Sequence, residues 1–164
     1  MTAEELLRRY AAGERDFTGT NLQGVELKYA QLSGINLSRV VLYDARLFRI
    51  DLSGANLSEA RLSDTTIEDV DLSNAIFSGA DLGHSTIRRS SLEGASFENA
   101  CLAETGMEDS WLNRANFQGA FFGETHFTRC AFSDAIIDIN ELRGCYLTQT
   151  SLPDGEIVTN VIQD

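Results

Sequence analysis

A period of five in the large apolar residues constrains the fold of this chain more than any other feature. Every fifth position from Phe17 to Leu152 is Leu, Ile, Phe or Met, which makes 28 consecutive positions. A helix repeats its apolar face every 3.6 residues and a strand every two, so neither element fits this pattern if it continues along its own axis. The chain must therefore turn once in every five residues.

The residues beside the large ones indicate how each five-residue repeat is built. The position two before the large residue is Ala in 11 of the 28 repeats and mostly small in the others, so each repeat directs one large and one small side chain inward. The position two after it is Gly in eight repeats and Asn or Asp in eight more, residues that tolerate the positive φ of a type II turn. Arg39 and Glu59 at that position suggest corners without this requirement. Phe77, Phe97 and Phe117 recur at 20-residue steps, as expected if four short sides close one square coil.

Several of these five-residue units carry a family resemblance. Ala55–Glu59 reads Ala-Asn-Leu-Ser-Glu, Ala80–His84 reads Ala-Asp-Leu-Gly-His, and Ala115–Gly119 reads Ala-Asn-Phe-Gln-Gly. They resemble the A(D/N)LXX unit of pentapeptide-repeat proteins, and the resemblance extends over residues 15–154. It implies an all-β fold, the right-handed quadrilateral β-helix, here with about seven coils. At about 4.8 Å per coil, the rod is expected to be roughly 34 Å long.

The N-terminal end is predicted to carry a short capping helix. Thr2 followed by Glu5 has the pattern of a helix capping box, and Gly13 is a stop signal. Residues 1–14 are therefore expected to cover the first coil, because an open solenoid end would expose unpaired strands.

The rest of the chain is predicted as one solenoid domain, residues 15–154, followed by a tail, residues 155–164. The tail is too polar for a substantial second helix, so the C-terminal end is expected to be less well covered. Asn140 stands where other repeats have a small inward residue and indicates a local irregularity, such as a bulged last coil. Apart from that, the register of five is expected to run without interruption.

The sequence favours no enzyme, cofactor or metal site. The two histidines, His84 and His126, fall on different coils, and the carboxylates stand on a regular surface without a cleft. Cys130 and Cys145 occupy small inward positions, and Cys101 has no cysteine one coil away, so no disulfide is expected. No apolar stretch is long enough for a membrane span and no secretory pattern is present, so a cytoplasmic protein without membrane contact is expected.

The net charge of −12 is distributed unevenly around the predicted coil. The side that contains Leu27 and the positions at 20-residue steps up to Leu147 carries six cations and five anions. Its corner residues alternate in sign from one coil to the next: Arg49, Asp69, Arg89, Asp109 and Arg129. We interpret this alternation as a stabilising charge ladder, with a partner-binding strip as the alternative.

The other three sides together carry 15 anions and four cations. One of them has a column of corner residues with Asp81 nearby: Asp44, Asp64, His84, Glu104 and Glu124. Some pentapeptide-repeat proteins imitate DNA and bind DNA gyrase, so the resemblance implies an alternative function, the inhibition or protection of a type II topoisomerase such as gyrase. Duplex DNA of this length carries about 20 charges, roughly twice the charge of these sides. Direct binding of nucleic acid is disfavoured by the same negative charge.

Outward apolar residues are the remaining candidates for partner binding. Those near the second coil are Val41, Tyr43 and Phe48, and those toward the C-terminal end are Trp111, Phe121, Ile136, Ile139 and Tyr146. A contiguous cluster beside a weakly covered end would form a protein contact, or a homodimer interface through that end.

The sequence therefore predicts a non-enzymatic module that presents a rigid, largely acidic rod to an unidentified protein. In this it is similar to the compact, loop-free pentapeptide-repeat proteins that are common in photosynthetic bacteria. The candidate binding residues are Asp44, Asp64, Asp81, Glu104, Glu124, Phe121, Ile136, Ile139 and Tyr146.

Overall fold

The computed structural model describes residues 1–159, which form one helix followed by a parallel β-solenoid. The helix α1 is Ala3–Ala11, and the next seven strands stack in sequence order into one parallel sheet. These strands are β1 (Glu26–Lys28), β2 (Arg46–Phe48), β3 (Thr66–Glu68), β4 (Thr86–Arg88), β5 (Gly106–Glu108), β6 (His126–Thr128) and β7 (Tyr146–Thr148). The predicted fold class is confirmed, and the chain makes about six turns of 20 residues from β1 to β7.

Each coil has four sides, which we name by their inward large residues. Side A contains Phe17 and each position 20 residues further on as far as Ile137, side B runs likewise from Leu22 to Leu142, side C from Leu27 to Leu147 and side D from Leu32 to Leu152. The strands β1–β7 all lie on side C. On the other sides adjacent coils pair mainly through single parallel bridges, such as Asn36 with Asn56, Asp81 with Cys101 and Asp71 with Ser91.

The core is a narrow stack of the inward side chains. The large inward residues are almost all buried, and small ones such as Ala55 and Ala75 are buried between them. Phe77, Phe97 and Phe117 lie face to face, with ring centroids 4.9 Å apart and planes 2° apart. This distance matches the spacing of adjacent strands, about 4.8 Å, so equivalent side chains stack as the coils stack.

The corner residues have a positive φ on all four sides whether or not they are glycine, except Ile139 and Asp154 in the last coil. The angle is 58° at Arg39 and 56° at Glu59, so the expectation that these two corners lack this requirement is wrong. The N–H groups of Arg39 and Glu59 donate to the next coil, to Ser58 O at 2.8 Å and to Ser78 O at 2.9 Å. These hydrogen bonds hold the backbone in the left-handed region against the preference of the residues themselves.

The corners that follow side C use buried hydroxyl groups as well. Val70 N donates to Ser90 Oγ of the next coil at 3.1 Å, and Ser90 N donates to Ser110 Oγ at 3.3 Å. Cys130 N donates to Thr150 Oγ1 at 3.3 Å in the same way. Each of these hydroxyls also donates to a backbone carbonyl. We call this the hydroxyl column, and it satisfies backbone amides that face the core.

The helix α1 covers the N-terminal end of the solenoid, as the sequence predicts. Thr2 is the N-cap, and its Oγ1 accepts a hydrogen bond from Glu5 N at 3.2 Å. Leu6 is fully buried against the first coil, and Tyr10 Oη donates to Ser33 O at 2.8 Å. The apolar end of the first coil is thereby removed from water.

The last coil departs locally from the regular backbone conformation. Ile139–Leu142 form a 3-10 helix with Asp138 as its N-cap, and Ile137 is only half-buried. The irregularity predicted at Asn140 is therefore present, and the register of five continues across it, since Leu142 and Leu147 are buried and His126 pairs with Tyr146. Asn140 is exposed, and its N and Nδ2 atoms donate to Asp138 Oδ1 at 2.9 Å and 2.8 Å. The reason is physical: a side-chain amide inside the narrow core would lack hydrogen-bond partners, so this segment turns outward.

The first part of the predicted tail pairs with the last coil. The strands β8 (Thr150–Ser151) and β9 (Ile157–Val158) form a two-stranded antiparallel sheet. Its turn is closed by a hydrogen bond from Gly155 N to Leu152 O at 2.9 Å. The hairpin gives the backbone of the last coil additional partners. Residues 160–164 of the predicted tail lie outside the described residues.

The hydroxyl column predicts different effects for two substitutions. Ser90→Ala removes the acceptor of Val70 N and leaves a buried N–H unpaired, so the free energy of unfolding is expected to fall by about 1–3 kcal/mol. Cys130→Ser puts a hydroxyl where the Cys130 thiol already lies 3.4 Å from Met107 O, so a change below about 1 kcal/mol is expected. Urea unfolding followed by circular dichroism measures both values. Equal losses in the two variants would contradict the role given to the column.

Candidate functional site

Side C carries the charge ladder that the sequence indicates. Arg89 contacts two carboxylates of the preceding coil: its Nε lies 2.8 Å from Asp69 Oδ1, and its Nη2 is paired with Glu68. Arg49 of the preceding coil also approaches Asp69, with Arg49 Nε 3.6 Å from Asp69 Oδ2. Asp69 is thus held between cations of the coils before and after it.

The same arrangement recurs two coils further along side C. Arg129 Nε lies 2.6 Å from Asp109 Oδ1, and its Nη2 lies 2.6 Å from Glu108 Oε1. Arg88 Nε approaches Glu108 from the preceding coil at 3.2 Å. The ladder is a connected network in which one cation contacts two anions, so most of its charges are satisfied within the chain.

The ladder lowers the pKa values of two carboxyl groups. Hydrogen bonds from the Arg89 side chain lower the pKa of Asp69, and those from Arg129 lower the pKa of Asp109. The same bonds raise the pKa values of the two guanidinium groups. Both acids therefore prefer the charged form more strongly than an isolated aspartate does.

An open depression lies on side C near the N-terminal end, with Lys28, Arg46, Phe48 and Thr66 in its lining. Beside it, Tyr29 is 67% exposed and meets the Phe48 ring edge-on at a centroid distance of 5.7 Å. The sequence reasoning named Phe48 but missed Tyr29, although its outward corner position was a usable signal. The depression is shallow, and the residues around it do not form a nucleophile and base in contact.

The acidic column lies on side B, at the corner that follows each inward large residue. We use this name for Asp44, Asp64, His84, Glu104 and Glu124, which follow one another at 20-residue steps and are all exposed. Their φ angles lie between 55° and 58°, so the five side chains leave equivalent backbone positions. At about 4.8 Å per coil, the structure brings four carboxylates and one imidazole into a single row.

Two members of this row and one residue beside it are already engaged. His84 Nδ1 lies 3.3 Å from Glu104 Oε2. Asp81, which the sequence analysis also selected, accepts Gly83 N on Oδ1 at 3.0 Å and Ser63 Oγ on Oδ2 at 2.8 Å. Asp81 is therefore on the predicted side, and part of its hydrogen-bonding capacity closes its own turn.

A row of small residues, which we call the trough, runs beside the acidic column. Gly83, Ala103 and Gly123 occupy the same position in three consecutive coils of side B and carry no side chain longer than a methyl group. Phe121 projects at the C-terminal end of this trough and is 63% exposed. Its ring lies over Gly123, because a Cβ atom at that glycine would be 2.9 Å from two ring carbons. The sequence reasoning missed the trough, because its three residues lie side by side only once their coils are stacked.

The other candidate apolar residues do not lie with Phe121 on one side. Ile136 is on side A, and Ile139 is on the 3-10 helix between sides A and B. Tyr146 is on side C, where its ring stacks on His126 at 4.4 Å, and Trp111 is on side D. Besides Tyr29, the exposed apolar residues that the sequence reasoning did not name are Ile76 and Ile157. A homodimer through the C-terminal end stays a prediction.

The cysteines are all free, and burial raises the pKa of the Cys130 thiol to about 12 and that of Cys145 to about 11. Within residues 1–159 no three His, Cys, Asp or Glu side chains are grouped as a metal ion would need. In the same part of the chain, no helix has the length and apolar character that crossing a membrane requires.

Two sequence profiles match this chain. The profile described as "Pentapeptide repeat region" matches residues 20–97, and the one described as "Pentapeptide repeats (8 copies)" matches residues 112–138. The chain belongs to the pentapeptide-repeat family. Pentapeptide repeats are a structural, non-catalytic framework, and the inward Leu or Phe and the corner positions described above are that framework.

Solved structures of other pentapeptide-repeat proteins are similar to this one. HetL, involved in heterocyst differentiation regulation in the cyanobacterium Nostoc sp. strain PCC 7120, is 22% identical with a TM-score of 0.28, over 96% of this chain and 100% of HetL. A trypsin-treated form of QnrB1, a plasmid-mediated fluoroquinolone resistance protein, is 23% identical with a TM-score of 0.46, over 92% of this chain and 86% of QnrB1. Rfr23 from the cyanobacterium Cyanothece 51142 is 22% identical with a TM-score of 0.38, over 82% of this chain and 99% of Rfr23. No curated protein sequence matches the chain.

The charge ladder predicts how stability depends on acid. Asp69 and Asp109 have lower pKa values in the folded protein than the ordinary value of 3.8, so their contribution is present above that value and is lost as the pH falls below it. The free energy of unfolding is expected to fall between about pH 5 and about pH 2, and to fall less in a variant with Asp69→Asn and Asp109→Asn. Urea unfolding at several pH values measures this. The control carries Asp44→Asn and Asp64→Asn, which remove two exposed charges outside the ladder, and equal slopes in all three proteins would contradict the prediction.

Proposed function

We propose that this pentapeptide-repeat protein is a non-enzymatic interaction module that presents side B to a protein partner. The observation that carries the proposal is the state of the acidic column. Among residues 1–159, Asp44, Asp64 and Glu124 make no ion pair, and the acidic partner of His84 is Glu104. On side C, by contrast, Asp69 and its equivalents are paired with arginines. Unpaired carboxylates in a row are available to the cations of another protein.

The backbone behind Asp44, Asp64 and Glu104 is held from the next coil. Asp64 N donates to Gly83 O at 3.0 Å, and Glu104 N donates to Gly123 O at 2.7 Å. These bonds fix the direction in which each side chain leaves the corner. A surface held in this way loses little conformational entropy when a partner binds, which favours affinity without a conformational change.

A binding role fits the chemistry of the surface better than catalysis. The carboxylates of side B stand on a regular face rather than in an enclosed, water-poor cleft, which acid–base chemistry would need. The three cysteines are free thiols, and this supports a reducing compartment such as the cytoplasm as the place where the module acts.

The test compares the proteins that bind to two forms of the chain. The immobilised wild type and a variant with Asp64→Asn, Glu104→Gln and Glu124→Gln are each incubated with an extract of the source cells at about 0.1 M salt. At least one protein is expected to be retained in a saturable manner by the wild type and reduced by about tenfold on the variant, as quantitative mass spectrometry would show. The control variant carries Glu59→Gln, Glu98→Gln and Asp134→Asn, which remove three charges from other sides. Equal losses on both variants, or no protein that depends on side B, would contradict the proposal.

A second candidate partner is a type II topoisomerase such as DNA gyrase. The acidic column supports it, because a straight row of carboxylates at about 4.8 Å spacing offers a repeating negative charge to a DNA-binding surface. The density of charge is lower than that of duplex DNA, so the mimicry would concern one row of phosphates rather than the whole double helix. Direct binding of nucleic acid to the acidic rod is not proposed.

A supercoiling assay separates this candidate from an unrelated protein partner. The protein is titrated into gyrase reactions in the low micromolar range, beside the variant that carries Asp64→Asn, Glu104→Gln and Glu124→Gln. If gyrase is the partner, supercoiling is inhibited, or protected against a gyrase poison, by the wild type and not by the variant. An unchanged reaction with both proteins excludes gyrase and leaves the interaction module in place.

A further inference from the structure

Side B combines an exposed aromatic ring with a charged row, and this combination restricts what can bind there. Phe121 is 63% exposed, and its ring is laid over the trough at Gly123 instead of packing into the core. An exposed ring of this size beside a groove is typical of a contact residue, because aromatic side chains dominate the energy of protein interfaces. The neighbouring charges of the acidic column are negative, so the partner must bring cations close to an apolar group.

The position of Phe121 follows from the irregular last coil. Parallel bridges connect Asp81 to Cys101 and Cys101 to Phe121, and within residues 1–159 this row of bridges ends at Phe121. The next coil forms the 3-10 helix Ile139–Leu142 at this place, and Glu141 N donates to Asp138 O instead of pairing with side B. The Phe121 ring is therefore left without a stacked neighbour on one side, and a partner can cover it.

The spacing of the acidic column selects the secondary structure of the partner. Its members follow one another at the coil spacing of about 4.8 Å. Side chains on one face of an α-helix recur about every 5.4 Å along the axis, whereas same-side residues of an extended strand recur about every 6.6 Å. Over the four steps from Asp44 to Glu124, the side-chain positions of a helix lying along the rod become offset from the carboxylates by only about 2.4 Å, which flexible lysine or arginine side chains can bridge. The side-chain positions of a strand become offset by about 7 Å over the same steps and no longer lie opposite the carboxylates.

We propose that side B takes a basic α-helical segment of its partner, lying along the rod, with cations on the acidic column and an apolar side chain against Phe121. The part of the trough at Gly83 and Ala103 gives the helix room to approach, because no side chain longer than a methyl group projects from it, and the Phe121 ring closes the trough at Gly123. This inference rests on the proposed function and names the kind of partner that the same side would recognise.

A synthetic peptide of about 15 residues is the probe. It carries lysines every three to four residues and leucines along the adjoining face. One control peptide has the same charges but two prolines in its centre, which prevent the helix, and a second has serine in place of leucine. Fluorescence anisotropy at about 50 mM and about 200 mM salt measures the affinities. The helical peptide is expected to bind at least about tenfold more tightly than either control.

Variants of the protein identify the two parts of the site. Phe121→Ala is expected to lower the affinity for the helical peptide by about tenfold. Phe121→Leu is expected to lower it by much less, since leucine keeps an apolar contact. The double variant Glu104→Gln with Glu124→Gln is expected to lower the affinity for the helical peptide by a similar factor and to make that affinity less dependent on salt. Matched controls are Trp111→Ala, an exposed aromatic residue on side D, and Glu98→Gln with Asp134→Asn, which removes two charges elsewhere. Both should bind within about twofold of the wild type.

Three results would overturn the helix proposal: equal binding of the proline peptide, a loss for Trp111→Ala as large as that for Phe121→Ala, or no binding of the helical peptide. The proposed function can be judged separately. A cellular protein that is lost when the acidic column is neutralised would keep side B as an interaction surface, even if the peptide results exclude a helix. Circular dichroism of each variant confirms that its fold is unchanged.

Discussion

The backbone hydrogen bonds between successive coils are the interaction on which the rest of the structure depends. Leu57 N donates to Ile76 O in the next coil at 2.7 Å, and Ile76 N donates back to Ala55 O at 2.9 Å, and this pattern repeats around the rod. Each coil is satisfied only by a neighbour with the same backbone path. The corners must therefore keep one geometry even where the residue is Arg39 or Glu59, and identical side chains must stack at one coil spacing. Aromatic stacks, charge ladders and acidic rows all follow from this single repeat.

Much of the fold could be predicted because the core tolerates so few residue types. The period of five, together with the alternation of one large and one small inward residue, describes a coil too narrow for any other arrangement, and Phe77 and Phe97 stack as their 20-residue spacing requires. The same 20-residue spacing predicts that Arg89 lies beside Asp69, as the structure shows. The helix α1 was readable from Thr2 and Glu5, since capping is a local signal.

The sequence was less informative where structure depends on partners in another coil. The positive φ of Arg39 is set by its hydrogen bond to Ser58 and not by its own preference, so residue type misled the interpretation of that corner. In the last coil, Asn140 gave a sign of irregularity but not its form, because a short 3-10 helix and a bulge begin with the same residue. At the candidate site, the acidic row was predictable from spacing. The ring of Phe121 over Gly123 was not, since it depends on a rotamer and on the interruption of the next coil.

The acidic column is also the part of the surface that folding explains least. Its position on side B is Gly24 in the first coil and Gly144 in the last, and glycine adopts a positive φ without strain. The coils between them instead carry side chains there, and Glu104 and Glu124 are residue types that disfavour the left-handed region by about 1 kcal/mol. Like charges one coil apart add repulsion, which the ladder on side C avoids by alternating its signs. Two unfavourable terms act on the same row, and no contact within residues 1–159 offsets them for Glu124. Glycine would serve the fold better at these corners, and the proposed binding role of side B would account for the carboxylates found there.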